Sequence, residues 1–297
     1  MKLYKSDYAM QIIAHVVMAV LTIMALVPFI LLAIASFTEE NAAIRNGFSF
    51  FPEKWSLGAY EYLAGEWSQI GSAYLMTIIV TIVGTALGIA ISTMLAYGLT
   101  RDILGRKLIN FLVIFTMLFN GGIVSSYYIW TQSFHIKNTV WALIIPNLLM
   151  NAFNIILIKN YFRTSVPESL IESARIDGAT DMKTFIKIVL PLSKPILATI
   201  GLMSAIMYWN DWTNGLYYID DSRLYTLQLV LNKINESASF LASNSTQMSG
   251  MINGTASIPT TTMRMAIAVI GILPMIMAYP FFQKYFVKGI TIGAVKG

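Results

Sequence analysis

The sequence predicts an all-α integral membrane protein with six transmembrane helices, and three observations carry that prediction. Of 297 residues, 56% are hydrophobic and only 12% are charged, about half the charge density of an ordinary soluble domain. A water-soluble surface therefore cannot be covered. The charges are also segregated, leaving several stretches without Asp, Glu, Lys or Arg that are long enough to cross a hydrocarbon core of about 30 Å. Basic residues, finally, favour one side of those stretches, as membrane insertion demands.

The first span runs from Gln11 to Phe37. It is too long for a signal-peptide core and lacks a small-residue cleavage pattern, so it reads as a retained helix. Trp67 to Thr100 is an uncharged run of 34 residues that holds the second helix, Gly71 to Gly98. Leu108 to Ile136 carries the third. Within it, Asn120-Gly121-Gly122 predicts a break, because paired glycines weaken a helix and the freed backbone must line a cavity or find partners. Asn138 to Ile158 is the fourth span and Pro195 to Asn210 the fifth. With 16 uncharged residues between Lys194 and Asp211, the fifth requires Lys194 to snorkel or Asp211 to lie near membrane depth. Met265 to Gln283 is the sixth. The chain thus divides into an N-terminal tail with the first helix (1–37), a five-helix core (70–286) that holds a helical loop at 163–191, and a C-terminal tail (287–297).

If both termini share one side, fourteen of the twenty Lys and Arg residues lie there, against Arg45, Lys54, Lys137, Arg223, Lys233 and Arg264 opposite. The termini are therefore expected in the cytoplasm. Thr38 to Ile70 and Thr213 to Thr262 become long external loops. The second is rich in Ser, Thr and Asn between Asn235 and Thr262 and offers a surface to an external partner. Its triplets at Asn235, Asn244 and Asn253 fit the glycosylation sequon, which polar loops also generate by chance. A pI of 9.2 does not point to nucleic acid, because the basic residues are scattered through short loops and form no stripe. Without cysteine there is neither a disulfide framework nor a thiolate metal site.

The longest cytoplasmic loop, Lys159 to Lys194, reads as two short helices around a glycine. Ser165 with Glu168 has capping-box spacing and Pro167 sits in the first turn. Leu170, Ile171 and Ala174 then share a face. Gly178 can take the left-handed conformation that closes a helix. Thr180 or Asp181 caps the next, along which Met182, Phe185, Ile188 and Val189 recur at helical spacing, and Leu190-Pro191 ends it. The expected product is a knob with its apolar residues against the protein and Arg175, Asp177, Asp181, Lys183 and Lys187 exposed. Periodicity alone describes an ordinary interfacial helix pair.

Chemistry-bearing residues are few. Asp211, flanked by Trp209, Asn210 and Trp212, is the acidic residue near the end of a span. In one reading this cluster, with Asn120, lines a translocation path in which rings stack on sugar C–H faces and Asn and Asp accept hydroxyl hydrogen bonds. In the other, the tryptophans belong to an aromatic belt and Asp211 anchors the helix end. Gly84 and Gly88 have the small-xxx-small spacing of close helix packing. His15 and His135 are isolated, so no metal site is expected. No nucleophile–base pair is evident and no catalytic residue is assigned. No Gly-x-x-x-x-Gly-Lys-Ser/Thr loop is present to bind nucleotide.

Glu172-Ser173-Ala174, then Gly178, then Ile188-Val189-Leu190-Pro191, resembles the EAA loop of importer permeases, with Ser173 where many relatives carry alanine. Tyr208-Trp209-Asn210-Asp211-Trp212, Leu224 to Leu229 and Tyr279 to Gly289 look like the sugar-importer branch of the binding-protein-dependent permeases. Phe119 to Val124 looks like its subgroup paired with lipoprotein-type oligosaccharide receptors, although Ser125 stands where that subgroup often has proline. The resemblance implies the type I ABC importer permease fold, in the bacterial cytoplasmic membrane. It also implies an ATPase-coupling role for Glu172, Ser173, Ala174, Asp177, Gly178, Ile188, Leu190 and Pro191. The implied partners are a second permease, two ATPases that bind ATP and Mg, an extracytoplasmic solute-binding lipoprotein, a carbohydrate substrate and membrane lipid. The tail from Thr291 resembles tails that reach the ATPases. The competing reading is an ion-coupled secondary transporter of a small polar solute, which predicts inverted repeats and buried coupling carboxylates. A further alternative is a non-transporting membrane subunit.

Overall fold

The computed structural model describes residues 5–65, 67–248 and 260–294. Those residues are mostly helical, and the only strand-like feature among them is one isolated bridge, Thr38 to Trp55. They fall into two compact units, one of 1–68 with 233–274 and one of 69–232 with 275–297.

In the first unit, α1 (Lys5–Ser36) contains the apolar stretch Met10–Ser36, whose most apolar window is not buried against protein, although Ala35 and Ser36 at its end are. A 27-residue stretch this apolar, and exposed from Met10 through Ile30, is a helix whose solvent is lipid. Its end is tied down by short polar and aromatic contacts. Ser36 Oγ lies 2.8 Å from Tyr60 Oη, and the Phe37 and Tyr60 rings stack at 4.9 Å. The segment read as an external loop from Thr38 is partly helical, in α2 (Glu40–Asn46) and α3 (Gly58–Gly65). Glu40 caps a distant helix, α15 (Thr260–Ala294). Its carboxylate accepts from Thr261 N–H at 2.8 Å, Thr262 N–H at 2.8 Å and Thr262 Oγ at 2.6 Å. Burial pushes the Glu40 carboxyl up, but these hydrogen bonds together outweigh it and hold the group below the usual carboxylate value.

The second unit is built on α4 (Trp67–Thr100). Gly84 and Gly88 do what their spacing predicts. A Cβ on Gly84 would stand 2.4 to 2.8 Å from the Tyr208 ring, and one on Gly88 would stand 3.1 Å from the Leu149 carbonyl oxygen. The third span is α5 (Arg106–Leu118), then a break, then α6 (Gly122–Tyr128), which runs into a π turn at Ile129–Ser133. The break falls at the predicted Asn-Gly-Gly, with Gly122 at φ +79.

The fourth span is not one helix. It consists of α7 (Val140–Ile144) and α8 (Ala152–Ser165). Pro146 between them has no N–H to donate, and Asn147 turns to φ +60. The carbonyls this exposes find partners from far along the chain. Tyr208 Oη donates to Ile144 O at 2.9 Å, and Asn214 Nδ2 donates to Pro146 O at 2.9 Å. Broken backbone survives at this depth only when paired in this way.

After α8 come α9 (Glu168–Ile176), α10 (Asp181–Thr184), a π turn (Phe185–Val189), α11 (Leu190–Leu192) and α12 (Lys194–Asn210). The segment Thr213 to Thr262, read as an external loop, is largely helical among its described residues. It holds α13 (Thr213–Tyr218), a 3-10 turn (Ser222–Leu224) and the 22-residue α14 (Leu227–Met248). The start of α14 is anchored, because Leu227 and Leu229 are fully buried and Leu227 N–H donates to Thr77 Oγ at 2.8 Å. The sequon at Asn253 and the final residues 295–297 lie outside the described residues. The tail from Thr291 continues α15 through Ala294 instead of starting a flexible end. By length and composition, α1, α4 and Thr261–Ala278 of α15 qualify as membrane spans, and α10–α11 with α12 form a pair bent by 80°.

Candidate functional site

The loop after α8 is seated on a cluster of buried apolar side chains. Phe185 and Val189 pack into a core with Tyr97, Phe162, Val166 and Ile200, with Ile171 and Leu190 at its edge. The Tyr97 and Phe185 rings are 5.0 Å apart. Ala174 is buried, so α9 turns Ile171 and Ala174 inward as its periodicity predicted, while Leu170, expected on the same face, points outward.

The start of α9 differs from expectation. Ser165 is the last residue of α8 and caps nothing. Pro167 takes the N-cap position with φ −63 and no side-chain cap bond is made. Pro167 has no N–H of its own, so one orphan donor at this end is already gone.

The glycine turn is a Schellman closure. Gly178 has φ +76, its N–H reaches Arg175 O at 3.0 Å, and Ala179 N–H reaches Ala174 O at 2.9 Å. Thr180 Oγ then caps α10 by accepting from Lys183 N–H at 3.3 Å. Arg175 and Asp181 sit 3.7 Å apart across the turn. Leu190-Pro191 does not end the second helix. The chain widens into a π turn, Leu190 N–H reaching back to Phe185 O, and stays helical through Leu192. The bend to α12 follows at Ser193, between Pro191 and Pro195. Proline and a π turn are the two usual causes of so sharp a change in axis.

The outward face is more apolar than expected. Ile176 is 86% exposed, and Leu170, Met182 and Ile186 are exposed as well. Glu172, Ser173, Arg175, Asp177, Gly178 and Pro191 share the exterior, while Ile188 and Leu190 are half-buried. Ile176 was legible in the sequence, since it lies two residues, or about 200° of helix, from the inward-facing Ala174. An isoleucine held open in this way gains about 2 kcal/mol when a partner covers it.

The second group of candidates is divided by the structure. Trp209 is buried, with its ring 6.2 Å from Tyr74. Asn210 is exposed and donates to Ile206 O at 3.0 Å. Asp211 Oδ1 accepts from the N–H groups of Thr213 (3.2 Å) and Asn214 (3.4 Å), which caps the start of α13. Trp212 is 42% exposed. Asn120 lies in the break of the third span, where its Oδ1 accepts from Gly122 N–H at 2.9 Å. Tyr208 was missed as a key residue. Its signal was its place in the aromatic block, one residue before Trp209. Lys137 and Asp220 pair at 2.9 Å, and Asn138 Oδ1 accepts from Asp220 N–H at 2.6 Å, fixing the turn beyond α13 to the end of the third span.

An all-helical membrane chain with spans broken and repaired inside, and a capped helical loop held on their ends, defines the class of a membrane transport permease. Residues 88–292 match the family described as binding-protein-dependent transport system inner membrane component, and the chain belongs to it. It is 40% identical to the polygalacturonan/rhamnogalacturonan transport system permease protein YtcP of Bacillus subtilis (strain 168), covering 93% of this chain and 94% of that one. It is 38% identical to protein LplC of the same organism, over 92% and 90% of the two chains. It also matches a chain in the crystal structure of a bacterial ABC transporter involved in the import of the acidic polysaccharide alginate. That match has a TM-score of 0.77 at 29% identity and covers 96% of this chain and 99% of the other.

Proposed function

We infer that this chain is one of two membrane-spanning subunits of an ATP-driven importer that carries an oligosaccharide across a bacterial cytoplasmic membrane. The observation that carries the reading is the capped loop. Its inner face is fixed in the core by Phe185, Val189 and Ala174, while its outer face presents Ile176 beside the Gly178 turn. Such an element transmits a push because it is stiff at the base and sticky at the tip. On this reading Glu172, Ser173, Ala174, Asp177, Gly178, Ile188, Leu190 and Pro191 form the docking element, and ATP and Mg are bound by the partner ATPases. The basic-residue asymmetry puts the loop and both termini in the cytoplasm.

Support for the substrate class comes from the names of the relatives, which specify polygalacturonan/rhamnogalacturonan and alginate. Oligosaccharides that carry uronates are therefore the first to test. Asn120, Asn210 and Trp212 are exposed and remain the residues of this chain best placed to meet such a cargo. Purification of the tagged chain from its native membrane in mild detergent, with identification of every co-purifying chain, tests the assembly. A second permease with an ATPase is the expected result. A chain that comes alone with and without ATP would overturn the reading in favour of ion-coupled transport.

A further inference from the structure

Some of the basic side chains around the loop are matched. Arg106 meets Asp102 at 2.6 Å and Arg175 meets Asp181 at 3.7 Å, while Lys159 donates to Asn110 Oδ1 at 2.7 Å. Arg101 and Arg163 are not, since neither forms an ion pair among the described residues. Arg101 is nonetheless held in one orientation. Its Nη2 donates to Tyr97 Oη at 2.9 Å and its guanidinium carbon lies 4.7 Å from the Tyr97 ring centroid. Its Nε is buried without a hydrogen-bond partner. A buried guanidinium N–H with no acceptor is costly, so the position is suited to an anion.

Both arginines line one cleft, with Thr100, Glu168 and Ile171. A second cleft shares Tyr97 and Arg101 but is walled mainly by Met94, Ile103, Met182 and Phe185, of which Met94, Ile103 and Met182 are exposed; Asp181 also lies on it, its charge paired with Arg175. A polar and an apolar cleft thus meet at one arginine, directly after α4. That helix spans 34 residues, enough to bring its end to a bilayer surface.

The geometry points to a phospholipid site, with the phosphate on Arg101 and Arg163 and an acyl chain along Met94, Ile103 and Met182. The arginine fork matches phosphate oxygens, and basic pockets between spans hold lipid head groups. Glu168 on the same cleft makes no ion pair with either arginine. Its charge opposes a dianion and favours the single negative charge of a phosphodiester over free phosphate. A lipid bound there packs against Phe185 and fills the angle between α4 and the loop.

The test is native mass spectrometry of the protein with its co-purifying chains, titrated with phosphatidylglycerol and separately with inorganic phosphate. Expected is one tightly held phosphatidylglycerol per chain. Arg163→Gln should weaken it about tenfold or more, the equivalent of losing one charge-assisted contact, and Ile103→Asp should weaken it as much by setting a carboxylate against the acyl chain. Both residues are exposed, so these variants keep the fold even if Arg101→Gln does not. Lys107→Gln, an exposed basic residue off the cleft, should retain the lipid. Unchanged retention in Arg163→Gln and Ile103→Asp would overturn the site. So would equal loss in Lys107→Gln, which would signal general surface charge, or phosphate binding in place of lipid.

Discussion

Gly178 allows a backbone requirement to be separated from a volume requirement. A Cβ at this position meets nothing within 4 Å, so a larger residue does not clash. What it must do is adopt φ +76, which costs an L-residue about 1–2 kcal/mol. Asparagine tolerates that region best and should cost the least, while β-branched valine should cost the most. Few forces resist reorientation of the turn. They are the two Schellman hydrogen bonds and the exposed Arg175–Asp181 pair, the last worth under about 1 kcal/mol. A strain of this size therefore shifts the local equilibrium by roughly fivefold to thirtyfold. The assay is ATPase co-purification together with uptake, normalised to the amount of chain in the membrane. Losses should rank Val, then Ala, then Asn, with insertion unchanged because the spans are untouched. Gly178→Asn as damaging as Gly178→Val would refute the backbone argument, and a harmless Gly178→Val would refute the importance of the turn.

Gly84→Ala should lower the melting temperature in detergent more than Gly88→Ala. The first places a methyl inside the Tyr208 ring and costs about 1–3 kcal/mol by overpacking, whereas the second only crowds a carbonyl. Equal effects would mean that Tyr208 moves freely. Tyr208→Phe should destabilise by about 0.5–2 kcal/mol, because Ile144 O loses its donor at the break; an unchanged melt would show that another donor replaces it. Glu40, held below its unfolded value, contributes stability that is fully present above the unfolded pKa of about 4.3 and is lost as pH falls through the folded value. Melting should therefore be flat near neutrality and fall in acid, and Glu40→Gln should lower the neutral melt and flatten the acid fall. Ile176→Asp should leave melting unchanged and weaken ATPase retention, whereas an equal loss of stability would mean that Ile176 serves the fold.

Much of the loop was legible because its rules are local. Gly178 at a left-handed closure, Thr180 as a cap and Ala174 facing inward follow from propensity and from the 100° step of a helix. Ser165 misled because its spacing from Glu168 matches a capping box, yet α8 extends to Ser165 and Pro167 supplies the new start. Met182 misled because periodicity identifies a face without saying whether protein or partner covers it. The candidate path cluster was legible as a group of residue types. Its division into a buried Trp209, a capping Asp211 and an exposed Trp212 depended on where α13 begins.

The sequence by itself determined that the chain lives in a bilayer, that the third span breaks at Asn120-Gly121-Gly122, and that a glycine-hinged helical loop precedes the fifth span. Those are consequences of hydropathy, charge placement and backbone freedom, each readable within a few turns of chain. Only the tertiary structure decided that the fourth span breaks around Pro146 and that Tyr208 and Asn214 repair it. The same is true of the polar segment after Leu227, which is a helix started on Thr77, and of Glu40, which caps α15. In each case a backbone group with no local partner is satisfied by a residue far away in the chain, and local sequence rules contain no information about which distant donor or acceptor will arrive.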